Sequence, residues 1–399
     1  MRTGFTLALA ILATVVLASG ETVTPVTVAN INVLHGIDCF PVRGDQCRLP
    51  ERLQLLFQHL VAIGCPDIVT LQEIVTREFA LTGVLTNTAA CVGPLDDALG
   101  LIEQGLSSLA QACGFTYGVV FDPAARRHPL ALPCLPGRGT DEELILTRYP
   151  VGGWELMPLY SPVAPFFFRH VLHARIAHPV GPLDVFTTHL DGPFDTAPCG
   201  FQLLPIPGLF PACPAACRGQ VCAGRECSVR ECQAKQVAAF VEARHHGPEP
   251  AILAGDFNAP PDTEPHPLEA TYQEFTGRGW LDSDVEAGNP QCDGAPPLGE
   301  GIGCTAGRVA VRPDGSSELE EPALNVDERI DYIFVVPPTS KSVCTVQKME
   351  TGLFADQPNP FENNCGPSGP ICWASDHNGT RATLRCERSA AHTFSLAPW

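Results

Sequence analysis

The sequence predicts an α/β fold built as one large domain. Strand-like and helix-like segments alternate from residue 26 to residue 386, and polar side chains follow many of the strands. Apolar residues make up 45% of the 399 residues and charged residues 17%, a balance that excludes a disordered or fibrous chain. No heptad or short repeat is present, which excludes a coiled coil or a solenoid.

Each element follows from a local pattern. Val26 and Val28 would point to one face of a strand, and Thr27 and Ala29 to the other. This alternation predicts a first strand ending at Asn32. Leu53 and Leu56 lie on one face of a predicted helix that Gly64 can close. Strands are predicted at 26–32, 67–71, 144–146, 167–178, 183–189, 251–254, 330–336 and 380–386. Helices are predicted at 49–60, 95–109 and 229–243.

Three stretches break this alternation. Residues 192–228 are rich in cysteine, proline and glycine, residues 285–325 are acidic and glycine-rich, and residues 337–372 mix proline, asparagine and cysteine. Strands with related polar motifs flank them on both sides. We therefore expect them to be loops inserted into a single domain spanning 21–399.

The first twenty residues resemble a secretory signal peptide. Arg2 gives a positive start, residues 5–18 are uncharged and apolar, and Ala18-Ser19-Gly20 has the small-x-small form of a cleavage site. The run is too short to span a bilayer of about 30 Å comfortably, and no later stretch is a transmembrane candidate. We expect an extracellular or periplasmic protein, for which 18 cysteines suggest disulfides.

Polar clusters at predicted strand ends carry the chemical signal. They are Asn30-Ile31-Asn32, Gln72-Glu73, Thr147-Arg148-Tyr149-Pro150, Thr188-His189, Gly255-Asp256-Phe257-Asn258, Arg329-Ile330-Asp331-Tyr332 and Ser375-Asp376-His377. Carboxylates that converge at the rim of a sheet make a hard-oxygen site suited to Mg²⁺. Histidines beside such a cation can move protons near neutral pH.

In this order, the clusters resemble the motifs of the endonuclease/exonuclease/phosphatase superfamily. The most specific are Leu71-Gln72-Glu73, Gly255-Asp256-Phe257-Asn258 and Ser375-Asp376-His377. The resemblance implies a four-layer α/β sandwich, with two central, mostly antiparallel sheets flanked by helices. It also implies hydrolysis of phosphate esters with a divalent cation, Mg²⁺ first and Mn²⁺ or Ca²⁺ as alternatives.

The resemblance also assigns roles by motif position. Metal binding is implied for Asn32, Glu73 and Asp376. Catalytic chemistry is implied for Asp256, Asn258, His189, Asp331 and His377, with Asp331 orienting the His377 ring. Phosphate contact is implied for Asn258 and Arg148.

Departures from the family narrow the substrate to a phosphodiester in nucleic acid or in a phospholipid head group. Arg329-Ile330-Asp331-Tyr332 lacks the Trp-Cys-Asp-Arg form of inositol polyphosphate 5-phosphatases. The net charge of -19 and the export signal disfavour abasic-site repair. An extracellular nuclease and a sphingomyelinase-like phospholipase stay open, as does a catalytically silent disulfide-rich binding protein on the same fold. No protein partner is implied.

The cysteine-rich insert allows two interpretations. Cys213, Cys217, Cys222, Cys227 and Cys232 fall within twenty residues. A zinc knuckle would use such thiols as thiolates, but an exported chain favours a disulfide-stapled loop. Since the insert follows the strand that ends at His189, we expect it to border the catalytic cleft and influence substrate choice.

Overall fold

The computed structural model of the chain describes residues 25–34, 48–74, 98–122, 139–140, 142–162, 167–192, 197–199, 212–222, 224–245, 250–261, 270–294, 301–306, 310–311, 317–318, 326–337, 344–354, 371 and 373–386. The helices are α1 Leu49–Ala62, α2 Ala98–Cys113, α3 Val229–Arg244, α4 Thr271–Thr276 and α5 Ser283–Glu286. The strands are β1 Pro25–Asn32, β2 Ile68–Ile74, β3 Gly118–Val120, β4 Gly139–Thr140, β5 Glu142–Thr147, β6 Val151–Pro158, β7 Phe167–Phe168, β8 His170–His178, β9 Gly181–His189, β10 Val221–Cys222, β11 Arg225–Glu226, β12 Ala251–Asp256, β13 Leu281–Asp282, β14 Ala310–Val311, β15 Ser317–Glu318, β16 Asp331–Val336, β17 Cys344–Leu353 and β18 Gly379–Cys386.

Two six-stranded sheets form the centre of the fold. The first has the order β17-β18-β1-β2-β5-β3, and the second has the order β13-β16-β12-β9-β8-β6. Each sheet contains one parallel pair, β1 with β2 and β9 with β12, while every other pairing is antiparallel. The predicted pair of mostly antiparallel sheets is confirmed.

The strand directions bring six of the seven predicted polar clusters to one edge, which we call the catalytic edge; the exception is Thr147-Arg148-Tyr149-Pro150. Parallel neighbours end at the same edge, so β1 and β2 end together, as do β9 and β12. Antiparallel neighbours begin where their partners end. The start of β16 at Asp331 therefore pairs with Asp256 at the end of β12.

Three apolar layers hold the sheets and helices together. The inward faces of the two sheets meet around Val28, Ile68, Val185 and Ile252. The outer face of the first sheet packs against α1 and α2, and the outer face of the second sheet packs against α3 and α4. This helix–sheet–sheet–helix order is the four-layer sandwich that the resemblance implied.

The prediction that residues 337–372 are only a loop was wrong. This range contains β17, a ten-residue edge strand that pairs along β18. Only one face of β17 is covered, and its polar side chains hide the alternation that marks a buried strand. The 285–325 range likewise contains the end of α5 and the short strands β14 and β15.

Twelve of the eighteen cysteines lie in the described part of the chain, and all twelve form disulfides. The pairs are Cys65–Cys113, Cys199–Cys213, Cys217–Cys232, Cys222–Cys227, Cys292–Cys304 and Cys344–Cys386. The disulfide interpretation of the 192–232 insert is confirmed, since its described cysteines are not free thiolates. The signal-peptide range lies outside the described residues. No described helix is both long and apolar enough to cross a bilayer.

Candidate active site

Asp256 lies at the centre of the catalytic edge. Its Oδ2 accepts a hydrogen bond from Asn32 Nδ2 at 3.0 Å. The same oxygen lies 3.4 Å from His189 Nε2 and 3.7 Å from His377 Nε2. Burial raises the pKa of the Asp256 carboxyl, and the two histidines oppose that rise. Both sheets therefore converge on one desolvated carboxylate.

The backbone before Asp256 is held unusually close to the neighbouring strand. A Cβ at Gly255 would lie 2.0 Å from the Thr188 carbonyl oxygen. Glycine alone allows β12 to approach β9 this closely, and that approach sets His189 beside Asp256.

Glu73 is aimed by a β-bulge. The register between β2 and β5 shifts between Leu71 and Ile74, and Glu73 has a positive φ of 64°. A bulge redirects a side chain at the end of a strand, and such strained backbone is common at functional sites. Asn32 Nδ2 donates to Glu73 Oε1 at 2.9 Å as well as to Asp256, so Asn32 ties the two carboxylates together.

His377 and Asp331 form the predicted hydrogen bond. His377 Nδ1 lies 2.8 Å from Asp331 Oδ2, and both side chains are buried. Burial alone would lower the pKa of His377, but the carboxylates of Asp331, Asp376 and Asp256 outweigh it and raise that pKa well above its usual value. Nε2 of the charged ring then presents an N–H toward Asp256.

Asp376 lies on the same loop as His377 and is partly exposed. Ser375 Oγ donates to Asp376 Oδ1 at 3.1 Å and accepts from the backbone N–H of His377 at 3.2 Å. The loop is thus ordered by its own side chain, with Asp376 at its more open side.

The Nδ1 atoms of the two histidines have different partners: His377 Nδ1 faces the Asp331 carboxylate, and His189 Nδ1 faces the Arg169 guanidinium. Arg169 Nη1 lies 2.9 Å from His189 Nδ1. Because arginine is always a donor, Nδ1 must accept, and the proton of a neutral ring resides on Nε2. Burial, followed by the charge of Arg169, lowers the pKa of His189 to about 4.

Asn258 follows Asp256 in a left-handed turn with φ 50°. Its backbone N–H donates to Asp256 Oδ1 at 2.8 Å. Its Nδ2 lies 2.8 Å from the Leu190 carbonyl oxygen and 2.9 Å from His189 Nε2. With the His189 proton on Nε2, both nitrogen atoms of this contact are donors, and neither accepts a hydrogen bond from the other.

The endonuclease/exonuclease/phosphatase family model matches residues 29–377. The chain belongs to this family. The membership inferred from the motifs is confirmed, and the family name covers nucleases and phosphatases that hydrolyse phosphate esters. No curated protein sequence matches the chain.

Solved structures of family members resemble the fold at low sequence identity. A family protein from Bacteroides thetaiotaomicron has a TM-score of 0.51 and 16% identity, covering 92% of this chain and 98% of that chain. D. rerio TDP2, complexed with a single-strand DNA product, has a TM-score of 0.49 and 15% identity, with coverages of 90% and 99%. A mannosyl-6-phosphatase from B. thetaiotaomicron has a TM-score of 0.48 and 17% identity, with coverages of 90% and 99%.

Arg148 does not lie with the other predicted site residues. It forms a 2.6 Å ion pair with Asp67, at the start of β2, and packs over the ring of Tyr149. Six residue-to-residue steps of extended chain lead from Asp67 to Glu73, a distance of about 20 Å. The prediction of phosphate contact was wrong because β5 runs antiparallel to β2 and ends at the opposite edge of the sheet.

Three site neighbours escaped the sequence analysis. Arg169 precedes β8, Glu143 lies near the start of β5, and Thr305 lies in a loop. The Glu143 carboxylate accepts from the His189 backbone N–H at 3.2 Å, and burial followed by Glu142 raises its pKa well above the usual value. A Glu-Glu pair directly before an apolar strand was an available signal for such a buried carboxylate.

The donor atoms at the catalytic edge fit a hard divalent cation. Candidate ligand atoms of Asp256, Asp331 and His377 lie within 4.8 Å of one another. Asp331 Oδ1 is buried and accepts no hydrogen bond from the described residues. Carboxylate oxygens are the ligands that a hard divalent cation prefers. Glu73 is joined to this group through Asn32.

Proposed function

We propose that this family member is a secreted, Mg²⁺-dependent phosphodiesterase. The observation that carries the proposal is the convergence of two imidazole Nε2 atoms on Asp256 Oδ2, one ring paired with a carboxylate and the other with a guanidinium. This arrangement places a charged and a neutral N–H donor on either side of one carboxylate. Phosphodiester hydrolysis needs such donors because the phosphate oxygens gain charge in the transition state.

His377 supplies the charged donor. Its imidazolium Nε2–H can donate to a phosphate oxygen or protonate the leaving oxygen, while Asp331 keeps the ring oriented through Nδ1. The raised pKa of His377 keeps this proton in place at neutral pH, where free histidine would have lost most of it.

His189 and Asn258 supply neutral donors. Arg169 holds the His189 proton on Nε2, where it faces Asn258 Nδ2 at 2.9 Å. A phosphate oxygen that lies beside both nitrogen atoms could accept a hydrogen bond from each of them.

Asp256 is the group that positions the attacking water. Burial raises the pKa of its carboxyl, so the carboxylate is more basic than usual. Oδ2 lies between the Nε2 atoms of His189 and His377, where it can accept a hydrogen bond from the attacking water. The metal would be held by Glu73, with Asp376 and Asn32 contributing directly or through water, and would supply charge neutralisation of the phosphate.

The six disulfides of the described residues support export. Structural disulfides persist in oxidising compartments and are rare in the cytosol. They agree with the signal peptide predicted at residues 1–20. We infer an extracellular or periplasmic location.

A substrate panel tests the proposal. The mature protein is incubated with Mg²⁺ and with DNA, RNA, sphingomyelin or bis-p-nitrophenyl phosphate, and the same mixtures are run in excess EDTA and with Zn²⁺ as the only added metal. We expect diester hydrolysis that EDTA abolishes and Mg²⁺ restores, and the ranking separates a nuclease from a phospholipase. Full activity in excess EDTA, or activity that Zn²⁺ restores and Mg²⁺ does not, would contradict the metal assignment. A folded protein that hydrolyses none of the four would favour the binding-protein alternative.

A further inference from the structure

A short segment, residues 301–306, lies against both segments that carry the His377–Asp331 pair. The Cys292–Cys304 disulfide anchors this segment, which we call the Thr305 segment. The backbone N–H of Thr305, the residue after the disulfide, donates to Glu328 O at 2.6 Å. The Thr305 segment therefore packs against the chain just before Asp331.

The side chain of Thr305 fixes the start of β16. Its Oγ1 accepts two backbone hydrogen bonds, from Ile330 N at 3.0 Å and from Asp331 N at 3.1 Å. Thr305 is fully buried, so water cannot replace this acceptor. The Asp331 backbone is thus held both by its pairing with Asp256 on β12 and by the Thr305 hydroxyl oxygen.

The main chain of the same segment forms hydrogen bonds with Asn378, the residue after His377. The Thr305 carbonyl oxygen accepts from Asn378 N at 2.7 Å, and the Cys304 carbonyl oxygen accepts from Asn378 Nδ2 at 3.3 Å. Asp331 and His377 are 46 residues apart in the sequence. The backbone of Asp331 and the residue after His377 are thus hydrogen-bonded to the same short segment of chain.

The residues directly before Thr305 are also restrained. Gly303 has a φ of 75°, and a Cβ there would lie 2.4 Å from the Pro290 carbonyl oxygen. The disulfide fixes Cys304 one residue farther on. Thr305 therefore extends from a segment with little freedom to move.

We propose that Thr305 is a positioning residue and that the Thr305 segment, anchored by the Cys292–Cys304 disulfide, is a clamp that holds Asp331 and His377 at hydrogen-bond distance. The proposal rests on the proposed phosphodiesterase function for its kinetic test. A displacement of about 1 Å in a catalytic group can cost a hundredfold in rate, so a clamp of this kind acts on kcat more than on KM.

The first test compares Thr305→Val with Thr305→Ser. Valine keeps the shape but removes the acceptor, whereas serine keeps it. We expect T305V to lower kcat on bis-p-nitrophenyl phosphate about tenfold or more with little change in KM, and T305S to recover most of the loss. Unchanged kcat in folded T305V, or a T305S variant as slow as T305V, would overturn the proposal.

The second test compares two disulfides and does not depend on T305V folding. Cys292→Ala/Cys304→Ala opens the clamp, and Cys344→Ala/Cys386→Ala removes the disulfide at the opposite end of β18. The two pairs span 12 and 42 residues, so loop entropy predicts the larger loss of Tm for the second pair. We expect kcat to fall only for the first. A fall in kcat that simply follows the loss of Tm would make the clamp an ordinary stabilising feature.

A spectroscopic readout separates failure of the clamp from failure of the proposed function. The His377 Nδ1 proton, shared with Asp331, gives a downfield proton NMR signal that needs no substrate. We expect this signal in the wild type and in T305S, and its loss or broadening in T305V and in C292A/C304A. A wild type that shows the signal but hydrolyses no diester would refute the function alone. An undisturbed signal in C292A/C304A would refute the clamp.

Discussion

The two histidines beside Asp256 are chemically identical side chains in opposite surroundings. His377 Nδ1 faces Asp331 at 2.8 Å, and His189 Nδ1 faces Arg169 at 2.9 Å. Their Nε2 atoms lie at similar distances, 3.7 Å and 3.4 Å, from the same Asp256 oxygen. Burial lowers the pKa of both rings; Arg169 lowers that of His189 further, whereas Asp331 and its neighbouring carboxylates raise that of His377.

The same comparison applies to the sheets that carry the histidines. His189 ends β9 within the second sheet, beside its parallel neighbour β12. His377 precedes β18 of the first sheet, and it reaches Asp331 across to the second sheet. One histidine is fixed by its own strand and the other by a loop, which is why the loop needs additional support from Thr305.

The largest effect is expected at the charged histidine. His377→Ala and His377→Gln both lack a group that can hold a positive charge and transfer a proton. We predict that each lowers kcat by at least about 10²-fold with little loss of folding. Steady-state kinetics on bis-p-nitrophenyl phosphate, with circular dichroism to verify folding, would measure this. A folded H377Q enzyme with near wild-type activity would remove the distinction between the two rings.

A smaller and more selective effect is expected at the neutral histidine. Glutamine can donate an N–H as a neutral imidazole does, so His189→Gln should stay within about tenfold of wild type while His189→Ala loses about 10²-fold. The ratio of the two kcat values is the measurement. Equal losses in H189Q and H189A would mean that His189 transfers a proton and does not simply donate a hydrogen bond.

The two rings should also give opposite pH dependences of stability in the metal-free protein. The depressed pKa of His189, about 4, means that the unfolded chain binds more protons between about pH 4 and 6.5, so stability rises with pH in that window. The raised pKa of His377 makes its contribution complete below about pH 6.5 and progressively lost as pH rises toward the folded pKa.

Each slope is at most about 1.4 kcal/mol per pH unit for one proton. Urea unfolding of wild type, H189Q and H377Q from pH 4.5 to 8.5 would separate them. We expect H189Q to flatten the acid side and H377Q to flatten the alkaline side. The same curve for all three proteins would contradict both assignments.

The smallest catalytic effect is expected at Arg148. Its guanidinium pairs with Asp67 at the edge opposite Glu73, so Arg148→Met should leave kcat within about twofold. It should lower the free energy of unfolding by about 1–3 kcal/mol because the buried carboxylate of Asp67 loses its ion-pair partner. A hundredfold loss of kcat in a stable R148M protein would return Arg148 to the site.

The sequence identified those candidate site residues that lie at the ends of strands. Asn32, Glu73, His189 and Asp256 stood out because each lies at the end of a predicted strand, and the family resemblance then implied their roles. Arg148 also lies at the end of a predicted strand, but β5 runs against β2, and strand direction is a property of the whole sheet. Local pattern alone cannot supply it.

The remaining features depend on contacts between distant segments. The bulge that aims Glu73, the edge strand β17 and the partner of His189 leave no periodic signal. Thr305 acts through one hydroxyl and one carbonyl on segments 25 and 73 residues away. Such contacts follow from the packing of the two sheets, which local sequence patterns do not encode.

Nitrogen-15 NMR of the two imidazole rings in metal-free protein, at pH 5.5 and pH 7.5, tests the comparison most directly. Free histidine changes from mostly charged to mostly neutral between these values. We predict that His377 has protons on both nitrogens at both pH values, and that His189 is neutral at both, with its proton on Nε2. Two rings that titrate together near pH 6.5, or a His189 with its proton on Nδ1, would contradict the account.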